Sequence, residues 1–167
     1  MKYTSAQAAK LLLKVKQDYE RIISKENNSK TFLASVGEDV ESVRPDYNYE
    51  ETKNSISDLE TKIRKIKHAI NVFNTTTVVP EFDMTIDELL VYIPQLSAKK
   101  SKLKEMADAL PKMRNITYDG SNIIDYVYVN YDIDAVAADL EKITEELSNA
   151  QLALDSINHT EMIDIEI

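Results

Sequence analysis

The sequence predicts a mainly α-helical fold with minor β structure (α+β), in which long antiparallel helices form a bundle or coiled coil and short strands form a small sheet. Three observations lead to this prediction. Two glycines and four prolines in 167 residues leave few interruptions, so long elements are expected. Four stretches repeat apolar residues at spacings of three and four, which is typical of helices with one buried face. Short β-branched or alternating stretches lie between them, as expected of strands.

In the first half of the sequence, residues that favour the ends of helices and strands set the element boundaries. Thr4 is a suitable N-cap for the first helix. Gly37 marks a turn, Pro45 leads into a long helix, and Pro80 ends a β-branched run. The predicted elements are a helix from about Thr4 to Asn27, a strand over Thr31–Val36, a long helix that ends at Phe73, and a strand over Thr75–Val79.

The second half follows the same order of helix, strand, long helix and strand. Thr85 is a suitable N-cap, and Pro94 is expected to kink the third helix or divide it after Ile93, because its ring clashes with the preceding turn. Asp119-Gly120-Ser121-Asn122 predicts the turn of a β-hairpin. The predicted elements are a helix over Thr85–Leu110, strands over Asn115–Tyr118 and Ile123–Val129, a helix over Ile133–Ile157, and an alternating strand over Met162–Ile167.

The two halves look like copies of one another. A shift of 84 residues places the apolar stripe of the helix 49–73 on that of the helix 133–157. The same shift matches Tyr47-Asn48 with Tyr131-Asp132, where each long helix should begin. Gly37 and Gly120, the only glycines, also lie at corresponding places. We therefore expect a single domain over residues 1–167 that contains two internal repeats, about 1–80 and 81–167.

Composition excludes several classes of function. The chain contains no cysteine, which removes thiol catalysis, cysteine-based zinc sites and disulfide frameworks. Its formal net charge of −9 repels phosphate backbones, so a nucleic acid partner is not expected. No stretch approaches the length of a membrane span and nothing near the N-terminus resembles a signal peptide, so we expect no membrane partner and a cytoplasmic location.

Motifs for catalysis, cofactors and metals are missing. Asp132-Ile133-Asp134 has the spacing of some metal ligands, but the first aspartate fits a helix N-cap and the second the first helical turn. Two histidines without a Glu-x-x-His pair make a helical di-iron site improbable. The sequence contains no Walker loop, dinucleotide fingerprint or serine elbow. We expect no catalytic residue, no metal and no cofactor.

The polar residues around the end of the second helix are the candidate site. Two explanations stay open: these side chains cap helix carbonyls and favour a strand, or they line a pocket for a small polar or anionic ligand. Basic residues on the second and third helices likewise form either a solvated face or a positive patch for a phosphate group or an acidic partner. The candidate ligand-binding residues are Arg64, Lys67, His68, Asn71, Asn74 and Thr76.

Long helices with sustained apolar stripes leave much surface to cover, so we expect a homo-oligomer, a dimer or higher, built from the long helices or from edge pairing of the C-terminal strand. Two functional hypotheses follow. The first is a non-catalytic oligomeric helical scaffold or protein-interaction module, which is favoured over an enzyme because packing explains nearly all informative positions. The second is a small-molecule binding protein or enzyme that uses the polar helix ends and the basic helix face.

Several blocks of the sequence resemble a family of small uncharacterised bacterial proteins. The resemblance is carried by Lys62–Pro80, Phe82–Asp87 and Tyr92–Ser97, and is extended by Val43-Arg44-Pro45 and Asn130-Tyr131-Asp132-Ile133, so it spans nearly the whole chain. Some members of that family are labelled septicolysin, which implies a pore-forming toxin. The resemblance brings no established activity and no catalytic residues.

Overall fold

The computed structural model describes residues 1–115 and 124–167, and it confirms a mainly α-helical fold with minor β structure. Long helices alternate with pairs of short antiparallel strands. The helices are α1 (Ser5–Ser29), α2 (Val40–Val43), α3 (Tyr49–Thr76), α4 (Ile86–Ala107) and α5 (Ile133–Thr160). The strands are β1 (Lys2–Thr4), β2 (Val78–Val79), β3 (Met84–Thr85), β4 (Lys112–Arg114), β5 (Tyr126–Tyr128) and β6 (Met162–Asp164).

The chain divides into two compact units. The first contains Met1–Thr77 and Ser156–Ile167, and the second contains Val78–Asp155. Strand β2, which follows α3, therefore belongs to the second unit, and strand β6, which follows α5, belongs to the first. The units thus have other boundaries than the expected repeats, and the single domain stays a prediction.

In the first unit, helices α1 and α3 pack side by side, and strands β1 and β6 pair antiparallel with Tyr3 opposite Ile163. Helix α1 begins as predicted at Thr4, where a capping box joins Thr4 and Gln7: the Gln7 amide donates to the Thr4 hydroxyl at 3.2 Å, and the Thr4 amide donates to the Gln7 side chain at 3.0 Å. The core of this unit contains Ala8, Val15, Ile66, Phe73, Ile163 and Ile165.

In the second unit, helix α4 begins as predicted at Thr85, which forms the same capping box with Glu88. Strands β2 and β3 pair antiparallel, with Val79 opposite Met84. The Tyr131 hydroxyl donates to the carbonyl of Met106 at 2.9 Å and so ties the start of α5 to the end of α4. Buried apolar side chains form the core of this unit: Val79, Ile86, Leu89, Leu96, Leu147 and Ala150.

Equivalent hydrogen bonds recur at positions 84 residues apart. At the start of the long helices, Asn48 accepts from the Glu51 amide at 3.2 Å, and Asp132 accepts from the Ala135 amide at 3.3 Å. At their ends, the Thr77 amide donates to Phe73 at 2.9 Å, and the corresponding Glu161 amide donates to Ile157 at 3.0 Å. Both predicted N-caps, Asn48 and Asp132, are therefore confirmed.

Several predicted boundaries are wrong. Residues 31–36 form a loop rather than a strand, because two turns and no partner strand follow α1. Helix α3 continues through Thr75 and Thr76, since their hydroxyls bond back to helix carbonyls and so relieve the cost of β-branched residues. Pro94 does not divide α4, which is continuous over Ile86–Ala107.

The predicted hairpin is present, but its first strand begins earlier than expected. Strand β4 covers Lys112–Arg114 and pairs antiparallel with β5, with Met113 opposite Val127. The turn Asp119-Gly120-Ser121-Asn122 and most of the predicted strand Asn115–Tyr118 lie outside the described residues. The strand predicted over Met162–Ile167 pairs with β1, but β6 itself covers Met162–Asp164.

Candidate functional site

Four of the six candidate residues line one groove along α3. This α3 groove has a volume of about 530 Å³, and α3 provides most of its surface while Tyr19 of α1 closes one side. Residues at spacings of three and four share one helix face, which explains why side chains from four successive turns meet there. The groove is lined by Tyr19, Glu60, Ile63, Arg64, Lys67, His68 and Asn71.

The α3 groove is basic but open to solvent. Arg64 and Lys67 contribute two positive charges, and Glu60 contributes one negative charge. Arg64 also donates a hydrogen bond to the Thr61 hydroxyl at 3.2 Å, which orients its guanidinium along the helix. Arg64, Lys67, His68 and Asn71 are all exposed. Water therefore competes for every polar contact, and the arrangement suits weak, charge-assisted binding of an anion rather than catalysis.

The two remaining candidates lie elsewhere. Thr76 donates its hydroxyl to the carbonyl of Val72 at 2.7 Å, a contact that the corresponding Thr160 repeats with Ser156 at 2.9 Å. Asn74 is half-buried and lines neither groove of this helix. The structure therefore does not bring all six residues together, and the threonine is a helix-end residue as the capping explanation expects.

A second groove, here called the edge groove, lies between α3 and strand β6 and has a volume of about 520 Å³. Val72, Phe73, Met162 and Ile163 give it an apolar surface, while charged side chains stand at its rim. No residue of β1 lines this groove, so it lies along the edge of β6 that faces away from β1. Its remaining lining residues are Lys65, His68, Ala69, Thr76, Asp164 and Glu166.

Perturbed ionisable groups in the described residues have structural explanations. The Tyr47 hydroxyl donates to Glu26 at 2.9 Å, and this hydrogen bond raises the pKa of Tyr47. The hydrogen bond from Tyr92 to Glu146 raises the pKa of Tyr92 in the same way. Each pair joins two elements of one unit. No group of three or more histidine, cysteine or carboxylate side chains that could hold a metal ion is found among residues 1–115 and 124–167.

Sequence reasoning missed a basic and aromatic surface on the β4–β5 hairpin. Lys112 and Arg114 lie directly opposite Tyr128 and Tyr126, so all four side chains share one face. The Lys112 ammonium lies 3.9 Å from the centre of the Tyr126 ring. The signal was present in the alternation Lys-Met-Arg and Tyr-Val-Tyr, but the two stretches are distant in sequence and meet only through strand pairing.

Within the described part of the chain, no helix is long and apolar enough to cross a membrane. No family model matches the sequence, and no curated protein is significantly similar to it.

One solved structure is similar over nearly the whole chain: "a functionally unknown conserved protein from Corynebacterium diphtheriae". The match covers 98% of this chain and 100% of that chain, with 17% sequence identity and a TM-score of 0.59. At this level of identity the likeness concerns the fold alone.

Proposed function

We propose that the protein is a non-catalytic helical scaffold that acts through protein–protein contacts, and that its first partner is a second copy of itself. The observation that carries this proposal is the amount of apolar surface left in contact with solvent. Homo-oligomers cover such surface at their interfaces, where aromatic residues, methionine and arginine are enriched.

The accessible area of the chain is 12304 Å². A compact monomer of this mass exposes about 8,400 Å², and two separate globules of half the mass expose about 10,100 Å² together. The second value is the relevant one because the chain divides into two compact units. The area exceeds even this value by about a fifth, as is expected when a partner covers part of the surface.

Exposed apolar side chains are concentrated in two segments between helices. On the hairpin, Met113 is 52% exposed, Val127 54% and Tyr128 61%. In the loop after α1, Leu33 is 95% exposed. Single exposed apolar residues are common, but a two-stranded hairpin with all six strand residues exposed is marginally stable by itself. Contact with another chain supplies the missing cover.

Sedimentation velocity or multi-angle light scattering over a dilution series tests the proposal. We expect a mass of at least twice that of one chain at micromolar concentration, and dissociation on dilution. A monomer at all concentrations up to the millimolar range would refute self-association. Full thermal stability of such a monomer would also show that the exposed hairpin needs no partner.

A second candidate function, binding of a small anionic ligand, is favoured by the common placement of Arg64, Lys67, His68 and Asn71 in the α3 groove. Titration calorimetry with inorganic phosphate and with citrate tests it at low ionic strength. The Arg64→Ala/Lys67→Ala variant should lose binding, whereas Lys14→Ala/Lys16→Ala, which removes the same charge from the exposed face of α1, should retain it. Equal binding by both variants would contradict the assignment.

The proposal extends to three expectations from the sequence. Internal duplication is supported by the hydrogen bonds that recur 84 residues apart and by the matching strand registers, in which Tyr3–Ile163 corresponds to Met84–Val79. Membership of the small bacterial family that includes proteins labelled septicolysin is supported by the sequence blocks that resemble it. A cytoplasmic location is supported by the lack of cysteine.

A further inference from the structure

Strand β6 has one free edge, and its backbone polar groups point into the edge groove. The Met1 amine donates to the Ile165 carbonyl at 3.0 Å, and the Ile165 amide donates to the Met1 carbonyl at 2.9 Å. These two residues therefore form a hydrogen-bonded pair. Because such pairs alternate with non-bonded pairs along an antiparallel ladder, the N–H and C=O groups of Asp164 point away from β1.

Strand β4 has a free edge of the same kind. The Asn115 amide donates to the Asp125 carbonyl at 2.9 Å, and the Val129 amide donates to the Pro111 carbonyl at 3.3 Å. The alternation of the ladder then directs the backbone groups of Lys112 and Arg114 away from β5. Unpaired edges of this kind are templates for pairing with another strand.

The side chains of the two edges are complementary. On β6 and its extension, Asp164 and Glu166 are exposed on one face, while Ile165 on the other face is buried. On β4, Lys112 and Arg114 share one face and Met113 lies on the other. An acidic-apolar-acidic edge thus matches a basic-apolar-basic edge, and opposite charges directly across an antiparallel pair are favourable.

From this match we propose that β4 of one copy adds to the free edge of β6 of a second copy. The register that pairs Asp164 with Arg114 and Glu166 with Lys112 places Met113 beside Ile165. An intermolecular sheet of order β1, β6, β4, β5 results, in which the hairpin gains a neighbour and both free edges are paired.

This inference rests on the proposed function, since it names the surface through which copies associate. Its contact is between two different patches, so two reciprocal contacts close a dimer, whereas contacts in one direction continue as a chain. The basic charge of the hairpin in a chain of net charge −9 favours another copy over a nucleic acid as occupant.

Two charge-reversal variants of the full chain test the register. Lys112→Glu and Glu166→Lys each place like charges across the pair, so each should raise the dissociation constant for self-association about tenfold. An equimolar mixture of the two variants should recover the affinity of the wild type, because each then meets the opposite charge. Lys14→Glu on α1 makes the same charge change at an exposed site and should associate as the wild type does.

The outcomes separate the two proposals. A wild-type chain that stays monomeric refutes self-association, and this contact with it. A wild-type oligomer that both reversed variants match, or two weakened variants that do not rescue each other, overturns the β4–β6 contact and leaves the scaffold proposal standing. Circular dichroism of each variant distinguishes lost association from lost folding.

Discussion

The phenol of Tyr92 on α4 donates a hydrogen bond to the carboxylate of Glu146 on α5. The two residues lie 54 positions apart in sequence, so the bond joins elements of the second unit that have no local reason to meet. The hydrogen bond holds the phenolic proton and raises the pKa of Tyr92 above its usual value of 10.0. Hydrogen bonds to charged groups contribute about 1.5–3 kcal/mol, more than those between neutral groups.

Tyr92→Phe should therefore lower the free energy of unfolding by about 1–2 kcal/mol, because it removes the donor and leaves a part-buried carboxylate with one partner fewer. A raised folded-state pKa means that the contribution is complete below pH 10.0 and is lost as the pH rises through the folded-state value. Urea unfolding at neutral and at strongly alkaline pH measures both effects. Tyr49→Phe, at an exposed ring, should change neither; an equal loss in the two variants would refute the role of the bond.

The two capping boxes differ in one respect that pH can reveal. Gln7 serves α1, whereas Glu88 serves α4, and hydrogen bonds from Thr85 lower the pKa of Glu88. A lowered folded-state pKa contributes stability that is present above the unfolded-state value of 4.5 and is lost as the pH falls through the folded-state value. Glu88→Gln should therefore reduce the acid sensitivity of unfolding.

Thr4→Ala and Thr85→Ala provide the matched comparison. Each removes an N-cap and should cost about 1 kcal/mol at neutral pH. At acidic pH the cost of Thr85→Ala should shrink, because its charged partner is being protonated, while the cost of Thr4→Ala should stay constant. Unfolding curves at neutral and acidic pH decide this, and identical pH profiles for the two variants would rule out a charged cap at α4.

Local signals explain which parts of the fold the sequence predicts. Thr4, Thr85, Asn48 and Asp132 cap helices through bonds to residues two or three positions later, so their role can be inferred from a short window. The loop at residues 31–36 failed as a strand because strand formation depends on a distant partner, which propensity alone does not provide.

The candidate site was predictable to the same extent. Arg64, Lys67, His68 and Asn71 follow helical spacing, so their shared face could be inferred, and the structure places them in one groove. Asn74 lies outside that groove, and Thr76 returns its hydroxyl to the helix. The hairpin surface was missed because Lys112 meets Tyr128 only through a pairing register that a single sequence does not specify.

Gly37 is the glycine whose conformation the structure describes, and its φ of +92° requires it. It lies in a turn in which the Glu38 amide donates to the Ser35 carbonyl at 3.0 Å. A Cβ at this position would meet nothing within 4 Å, so only the backbone conformation opposes substitution. Gly37→Ala should destabilise by about 1 kcal/mol, and Gly37→Asn by less because asparagine tolerates positive φ.

Chemical denaturation of Gly37→Ala, Gly37→Asn and the neighbouring Val36→Ala tests this order. Val36 is fully exposed, so its truncation should leave the free energy of unfolding nearly unchanged. Equal stability of all three variants would show that the turn is not coupled to the unfolding of the unit.

Pro94 lies inside the continuous helix α4, eight residues after its first residue, Ile86. It cannot donate the hydrogen bond that the carbonyl of Leu90 would accept, and its ring crowds that carbonyl, so it costs the helix up to about 3 kcal/mol relative to alanine. Since Pro94 is exposed, its ring contributes little packing in return. Pro94→Ala should therefore raise the midpoint of thermal unfolding, and Ala98→Pro, one turn later on an equally exposed position, should lower it. Should Pro94→Ala instead unfold at a lower temperature, α4 would depend on a bend at this proline for its packing in the second unit.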